Sequence, residues 1–578
     1  MAKGRIVKWK FSDCNEDQRN FLAAQLGISK IISNILLQRG FEKVTDAKHF
    51  ITPKISDLDD PFLIKNMDSA VTLLDRHVQR KSTISIIGDY DVDGITSTAL
   101  LIDVLKQFGI YPQYFVPRRF SEGYGMSKEI VHRMLKKSNP NLVIALDCGT
   151  NSIDEIRSLI KKGIEVLVID HHTLTMNRKQ IGTIINPHLT EHNISLQSMC
   201  TVGLVFKFVH AFLKHRRTQN DERAFAIRLK SYFDIVALGT IADMMPVRYE
   251  NRIIVKYGLQ SFAKERRPGL DALCSVANIP SGQAITQADV SFKLAPRINV
   301  SGRLSDALLP VELLMASDIS EAMVMAKKID QMNRERQRIE HAVTIEAQKM
   351  VQEYYLNDPG IVLFNSDWHS GIVGIVAGKL AKEYGRPVIV MSLERGIAKG
   401  SGRSANVNLV DVLTQCTMHT ENWGGHKMAI GVALKPENVN IFRSAFNHAI
   451  SQINNETQVF EEEIEIAHIL DKNDIDESFV RELENYLQPY GQQNEEPIFC
   501  IRNVRFTKNT EFFGINRKHF RFWIERKDKP WLCGIAWDMA SYFPEYDRDI
   551  DILVCIAFDF WNNERFLLLR LIDWRYSL

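Results

Sequence analysis

The stretch Ile84-Ser85-Ile86-Ile87-Gly88-Asp89-Tyr90-Asp91-Val92-Asp93-Gly94 begins as an apolar run and ends in three carboxylates. An apolar run that stops at Asp and Gly reads as a buried strand meeting a loop. The apolar spacing from Ile95 to Phe108 reads as the helix that follows. Three like charges at the carboxyl end of a buried strand are costly unless a cation compensates them. Hard oxygen ligands suit Mg²⁺ or Mn²⁺. Taken alone, the run has a solvated acidic turn as its alternative.

Three further clusters bear on that choice. Asn141–Leu146 runs into Asp147-Cys148-Gly149-Thr150, and Ile164–Ile169 runs into Asp170-His171-His172. Phe233–Leu238 reads as a fourth strand and leads to Gly239-Thr240-Ile241-Ala242-Asp243. Helical segments separate these runs, which is the alternation of a helix-covered parallel sheet. Ligands of such sheets lie outside the carboxyl ends of the strands. Asp89, Asp91, Asp93, Asp147, His171 and Asp243 are then candidate metal ligands, more than one octahedral ion needs. Two ions about 3.5–4 Å apart can activate a water and stabilise the leaving oxygen of a phosphoryl displacement. Adjacent histidines at a strand end are expected to point to opposite faces, so either one alone could be a core histidine.

The Asp170-His171-His172 triplet, with Asp89–Gly94 and Gly239–Asp243, resembles the DHH phosphoesterase superfamily, and within it the bacterial RecJ single-strand-specific exonucleases. The resemblance extends through Pro117–Gly125, Pro296–Leu304, Trp368–Gly374, Gly400–Ser404 and Gly424-Gly425-His426. It implies 5′-to-3′ hydrolysis of single-stranded DNA to 5′-mononucleotides, with two Mn²⁺ or Mg²⁺ ions. It also implies substrate contacts at Arg118, Arg119, Asn299, Arg303, His369, Ser401, Arg403, Gly424, Gly425 and His426. On chemistry alone, Gly400–Ser404 joins flexible backbone, hydroxyls and a guanidinium as a phosphate cradle, or is an ordinary polar loop. In the expected mechanism His172 stands beside the scissile phosphate as stabiliser or proton carrier, and Asp170 orients a histidine.

The expected fold is α/β: a parallel-sheet DHH domain, a long helix, a smaller α/β DHHA1-like domain, and a C-terminal antiparallel OB-like barrel. The expected boundaries are 1–70 for an N-terminal segment packed on the catalytic domain, 71–315 for that domain and 316–356 for the connecting helix. The second lobe is expected over 357–452 and the barrel over 457–578. The helix is read from Ile319 to Tyr355, which is rich in charge and free of Pro and Gly. The barrel is read from short strands such as His519–Ile524 and from tryptophan, six of eight falling after residue 420. Phe520 and Trp523 are the candidates for stacking on bases, with barrel core as the alternative for each. Two departures from the family pattern stand out, Gln493 and Glu495 in the junction Pro489–Pro497 and Val300-Ser301 before Gly302.

A chain of 578 residues is too long for one core. Eight scattered cysteines, no membrane-length apolar stretch and no signal-type apolar core at the start suggest a cytoplasmic enzyme with reduced thiols. The net charge of +2 decides nothing about nucleic acid. Single-stranded DNA is the expected partner, with a helicase and a single-strand-binding protein implied by the resemblance, and a monomer as the default. An RNA exonuclease or a small-nucleotide phosphodiesterase of the same superfamily is the alternative.

Overall fold

The computed structural model describes residues 7–577 apart from 13, 119–121, 124, 175–180, 190–192, 305–307, 457–461 and 562–563. Three of the four apolar runs of the catalytic region build one sheet. Ile84–Gly88, Leu142–Leu146 and Glu165–Ile169 lie side by side at the centre of a five-stranded parallel sheet, flanked by Gln113–Phe115 and Thr183–Ile185. Both faces are covered, so these strands are continuously apolar rather than alternating. Ile86, Ile144 and Leu167 meet helices Val92–Gln107 and Thr201–Thr218 on one face, and Ile87, Val143 and Val168 meet Lys128–Lys137 and Ile153–Ile160 on the other. Gly88 pairs with Leu146 and Leu146 with Ile169, so the three strands end flush.

The fourth run departs from expectation. Phe233–Ala242 is an α-helix, not a strand, and every residue from Phe233 to Ile241 is buried. A run apolar on all sides fits a buried helix as well as a buried strand, and periodicity cannot choose between them. Two intra-run features suit the helix: Asp234 pairs with Arg267 at one end, and the Thr240 hydroxyl donates back to Val236 O.

The long helix Ile319–Met350 is N-capped by Asp318 and continues as a π-helical turn over Val351–Tyr355. Its first half buries Ala322, Ala326 and Ile329 in the catalytic core, and its second half buries Val343, Ala347 and Val351 in the next lobe. That lobe has a five-stranded mixed sheet in the order Asn422–His426, Ala429–Leu434, Ile397–Arg403, Val388–Glu394, Ile361–Asn365. The C-terminal module is a seven-stranded mixed sheet from His468–Leu470 to Glu564–Tyr576.

The N-terminal segment belongs mostly to that C-terminal module rather than to the catalytic domain. Helices Glu16–Leu26, Lys30–Gln38 and Val44–Ile51 place Leu22, Ile32, Leu36 and Phe50 in one core with Phe479, Leu483, Phe499 and Ile552. Val7–Phe11 pairs in parallel with Glu462–Ile466. The segment's apolar contribution to the catalytic core includes Ile55, Leu58 and Phe62. The apolar faces of these short helices give no sign of which distant core they serve, so the sequence assigned them to their nearest neighbour.

Candidate active site

The flush strand ends bring Asp89, Asp147 and Asp170 into one row, and the sheet ladder extends through their own amides. Asp89 N–H donates to Leu146 O, Asp147 N–H to Ile169 O and Asp170 N–H to Ile185 O. Asp91 caps the helix Val92–Gln107 by accepting from Gly94 N–H, and Asp93 stands in its first turn. Gly94 is required there, because a Cβ would lie 2.5 Å from Asp89 O and 2.7 Å from Asp89 N. Helix Thr201–Thr218 points its N-terminus at the cluster. Thr201 and Val202 N–H each donate to Asp93 at 2.7 Å, and the Thr201 hydroxyl donates to Asp147 at 2.9 Å. These are the helix's unpaired first-turn donors, and its dipole favours the negative charge. Sequence reasoning missed Thr201; its only signal is Thr at the start of an apolar helical run.

The candidate ligand atoms form three overlapping groups, each within 4.8 Å: Asp89, Asp91 and Asp147; Asp147, His171 and His172; Asp93, His171 and Asp243. Asp147 and His171 are each shared by two groups. His171 Nε2 lies 3.5 Å from Asp147, 3.6 Å from Asp243 and 3.9 Å from Asp93. The two histidines do not diverge as expected of a strand. They follow the strand's last residue, and their ring centroids are 4.8 Å apart. His172 Nδ1 meets Asp170 Oδ1 at 2.7 Å, and Asp170 Oδ2 accepts from Thr150 N–H. Asn186 fixes this corner by donating to the Thr150 hydroxyl and to His172 O.

The electrostatics are those of a site built for cations. Burial first, then Asp91, pushes Asp89 far above the usual carboxylate range. Burial first, then Asp91, Asp93 and Asp89, does the same to Asp147. Asp93 is raised by burial, and Asp243 is pushed up to about 8 by burial and then by Asp93 and Asp91. Among the described residues, buried Asp89 Oδ2 and Asp243 Oδ2 have no hydrogen-bond donor. Clustered carboxylates with orphaned oxygens fit divalent ions, which would supply the missing positive charge. Asp170 behaves oppositely. Burial raises it, but the His172 hydrogen bond and charge outweigh burial and hold it at about 2. His172 is lowered by burial yet raised more by Asp170, Asp91 and Asp89, to about 9.

The predicted substrate contacts fall into separate places. Ser401 and Arg403 share one face of a strand, and a Cβ on Gly374 would lie 3.2 Å from Ser401 Oγ and 3.5 Å from an Arg403 guanidinium nitrogen. Both therefore stand against the first turn of helix Val373–Tyr384. Across the sheet Gly431 pairs with both Ser401 and Gly424, and Ala429 with both Arg403 and His426, so the motif residues form two rows. Gly424, Gly425 and His426 are exposed on the edge strand. His369 Nδ1 accepts from Gly371 N–H just before that helix. Asn299 and Gly302 belong to the catalytic lobe, where Gly302 lies against the Tyr90 ring, and Arg303 sits on the short helix Ser301–Leu304. Arg118 is exposed with its N–H on Glu122, and Arg119 lies outside the described residues.

Of the two stacking candidates in the C-terminal module, Phe520 is core. Strand His519–Ile524 alternates, sending Phe520, Phe522 and Ile524 inward and His519, Arg521 and Trp523 outward. Phe520 is 0% exposed, whereas Trp523 is half-buried on the outer face. The outer aromatic cluster that sequence reading missed is Phe513, His519 and Trp537, with ring centroids 4.9–5.7 Å apart and Arg521 over Phe513.

Comparison with known proteins matches residues 83–240 to the N-terminal domain of the DHH family, 357–452 to the DHHA1 domain and 466–573 to the RecJ OB domain. The single-stranded-DNA-specific exonuclease RecJ of Bacillus subtilis is 32% identical over 91% of this chain and 65% of its own length. The protein of the same name from Haemophilus influenzae is 32% identical over 87% of this chain and 89% of its own. The crystal structure of RecJ in complex with Mn²⁺ from Thermus thermophilus superposes with a TM-score of 0.83 at 26% identity, covering 99% of this chain and 80% of that one. Carrying these three domain types in succession and matched along most of its length, the chain belongs to the RecJ family of single-stranded-DNA-specific exonucleases.

Proposed function

We propose that this chain is a metal-dependent exonuclease that removes 5′-mononucleotides from the 5′ end of single-stranded DNA. The observation that carries the chemistry is the overlap of the ligand groups, in which Asp147 and His171 each belong to two. Asp89, Asp91, Asp93, Asp147, His171 and Asp243 would hold two Mn²⁺ or Mg²⁺ ions. Bound there, the ions supply the charge that acidifies water and stabilises the departing 3′-oxygen.

The protein's own residues do the rest. Thr201 and Val202 N–H hold Asp93 fixed, and Gly94 lets the acidic loop close on the helix. Asp170 holds His172 Nδ1, so the proton His172 can present to a phosphate is carried on Nε2. Burial lowers the basicity of that ring, and the Asp170 hydrogen bond and charge outweigh it and raise it. Ser401, Arg403, His369 and the Gly424-Gly425-His426 edge bind the 5′-terminal phosphate, and the helix dipole at Val373 adds to the attraction. The outer cluster of Phe513, His519, Trp537 and Arg521 supports contact with unpaired bases.

A helicase that opens duplex and a single-strand-binding protein are the partners this reading adds, in recombination and repair. We further place the chain in the cytoplasm as a monomer. Among the described residues no two cysteines form a disulfide, and no single helix is long and apolar enough to cross a membrane.

The test uses Mn²⁺ and single-stranded DNA labelled at either end, beside matching RNA and duplex. Mononucleotides from the 5′ end of single-stranded DNA alone are expected. Release from the 3′ end, or preference for RNA, would overturn polarity or substrate while keeping the metal site. Asp91→Ala and Asp243→Ala should abolish cleavage and leave binding of single-stranded DNA intact; full hydrolysis by either at saturating Mn²⁺ would sink the ligand assignment.

A further inference from the structure

Asp243 is the one candidate ligand that no strand end or central helix start supplies. It caps the C-terminus of helix Phe233–Ala242, its N–H on Gly239 O. A turn then leads to helix Tyr249–Lys264. Met244 and Tyr249, at its two ends, have left-handed backbone, with φ of 56° and 49°. For non-glycine residues that conformation costs about 1–2 kcal/mol each, so something outside the turn must hold it. Met244 does not do so by packing, because it is 70% exposed.

What holds it is the start of the second helix, where Glu250, Asn251 and Arg252 are all buried. Asn251 ties the turn to itself, donating to Pro246 O and to Ser198 O. Arg252 is 1% exposed, and its guanidinium donates to five backbone carbonyls, those of Phe50, Tyr486, Leu487, Gln488 and Pro489. All five belong to the shared N- and C-terminal module. Tyr486 and Leu487 end helix Glu477–Leu487, whose last carbonyls lack intrahelical donors and form the negative end of its dipole. The guanidinium therefore caps a helix of another module, stacked on the Phe50 ring at 3.7 Å.

The turn is also gripped directly. Val247 N–H donates to Gln492 O at 2.9 Å, and the Arg248 guanidinium donates to Arg39 O. Arg39 in turn donates to the Asn494 side chain and to Glu495 O. Finally, the two helices are locked together at Gly258, where a Cβ would lie 2.3 Å from Ala237 Cβ and 2.4 Å from Phe233 O. A shift of residues 486–494 therefore moves the turn and Asp243 with it.

We propose that the helical hairpin 233–264 is a strut through which the C-terminal module sets the position of Asp243, with Arg252 as the positioning residue. The proposal rests on reading Asp243 as a metal ligand. It makes the metal centre of the catalytic lobe incomplete without a helix end contributed from more than 230 residues further along the chain.

The test is a titration of the full chain with Mn²⁺ alone, followed by the electron paramagnetic resonance of free ion, beside thermal unfolding of each variant. Arg252→Met is expected to weaken Mn²⁺ binding about tenfold or more, as loss of outer-shell support commonly does. Arg252→Lys, which keeps the charge and some donors, should recover part of the loss. Gly491→Ala leaves Arg252 intact but puts a Cβ 2.5 Å from Val247 Cγ2, and should weaken binding in the same direction. A folded Arg252→Met with a lower melting temperature and wild-type Mn²⁺ affinity would overturn the strut. Should that variant not fold, wild-type affinity in Gly491→Ala overturns it equally. Asp243→Asn separates the two layers: wild-type affinity there removes the ligand assignment and the strut together, whereas loss there with normal Arg252→Met removes the strut alone.

Discussion

Replacing Lys207 with Met should destabilise the protein, and by an amount that grows above neutral pH. Lys207 Nζ donates to both oxygens of Glu250, at 3.0 and 2.8 Å, and to Asp59 O at 2.6 Å, with both side chains out of water. Removing one partner of such a pair leaves a buried charge, at a cost of about 3–5 kcal/mol. Burial first raises the Glu250 carboxyl, and Lys207 only partly offsets this, leaving it at about 7. A carboxyl raised on folding favours the fold when protonated, so its contribution is present below the unfolded value near 4.5 and is lost as pH rises through the folded one. In the wild type that loss ends near pH 7. Without the ammonium the carboxyl rises further, so the variant continues to lose about 1.4 kcal/mol per pH unit above 7. Urea unfolding at pH 6.5 and 8.5 should show the gap between variant and wild type widening by about 2 kcal/mol. Lys207→Met with Glu250→Gln should recover most of the loss and show no widening. An equal gap at both pH values, or a double variant no more stable than the single one, would refute the reasoning.

Trp537→Ala should weaken binding of single-stranded DNA by about 1–3 kcal/mol without lowering the melting temperature appreciably, whereas Phe520→Ala should cost about 3–5 kcal/mol of stability. Fluorescence anisotropy with a labelled oligonucleotide beside calorimetry distinguishes these; equal effects of both on binding alone would contradict the face assignment. Gly94→Ala, whose new methyl meets Asp89 backbone at 2.5–2.8 Å, should abolish Mn²⁺ binding and cleavage, and a variant with wild-type turnover would be the contrary result. Chelation of divalent ions should lower the melting temperature more at pH 8 than at pH 6. Burial raises Asp89, Asp93, Asp147 and Asp243 on folding, so their ionisation at higher pH weakens the metal-free fold. Identical chelator effects at both pH values would count against it.

Much of the catalytic lobe was legible because the chemistry restricts the residues allowed at its key positions. Asp89, Asp147 and Asp170 each end an apolar run, and nothing but a flush parallel sheet brings three such ends together. Asp243 was legible as a candidate but not as the end of a helix, since residues 233–241 are buried on every side and carry no period. Thr201 and Val202 act through backbone donors, which any residue supplies, so no side chain advertises them. The outward aromatic cluster of Phe513, His519 and Trp537 was not singled out, and of the two stacking candidates Phe520 takes its core alternative while Trp523 faces out, because only the packed core decides which strand phase faces in. The partner of the first three helices is encoded more than 400 residues away, beyond the reach of any local pattern.

That shared core bears on synthesis as well as on stability. Helices 16–51 leave the ribosome with the apolar faces of Ile32, Leu36 and Phe50 unpaired, and the strands that cover them, Ile550–Trp561 and Glu564–Tyr576 among them, are made about 500 residues later. At elongation rates of about 5–20 residues per second the wait is on the order of half a minute to two minutes. During that wait the strands of the catalytic sheet are made while the apolar surface of these helices stays open. Translation must therefore run through those strands before helices 16–51 can close their apolar faces, so the burial of these helices is tied to residues made about 500 positions later.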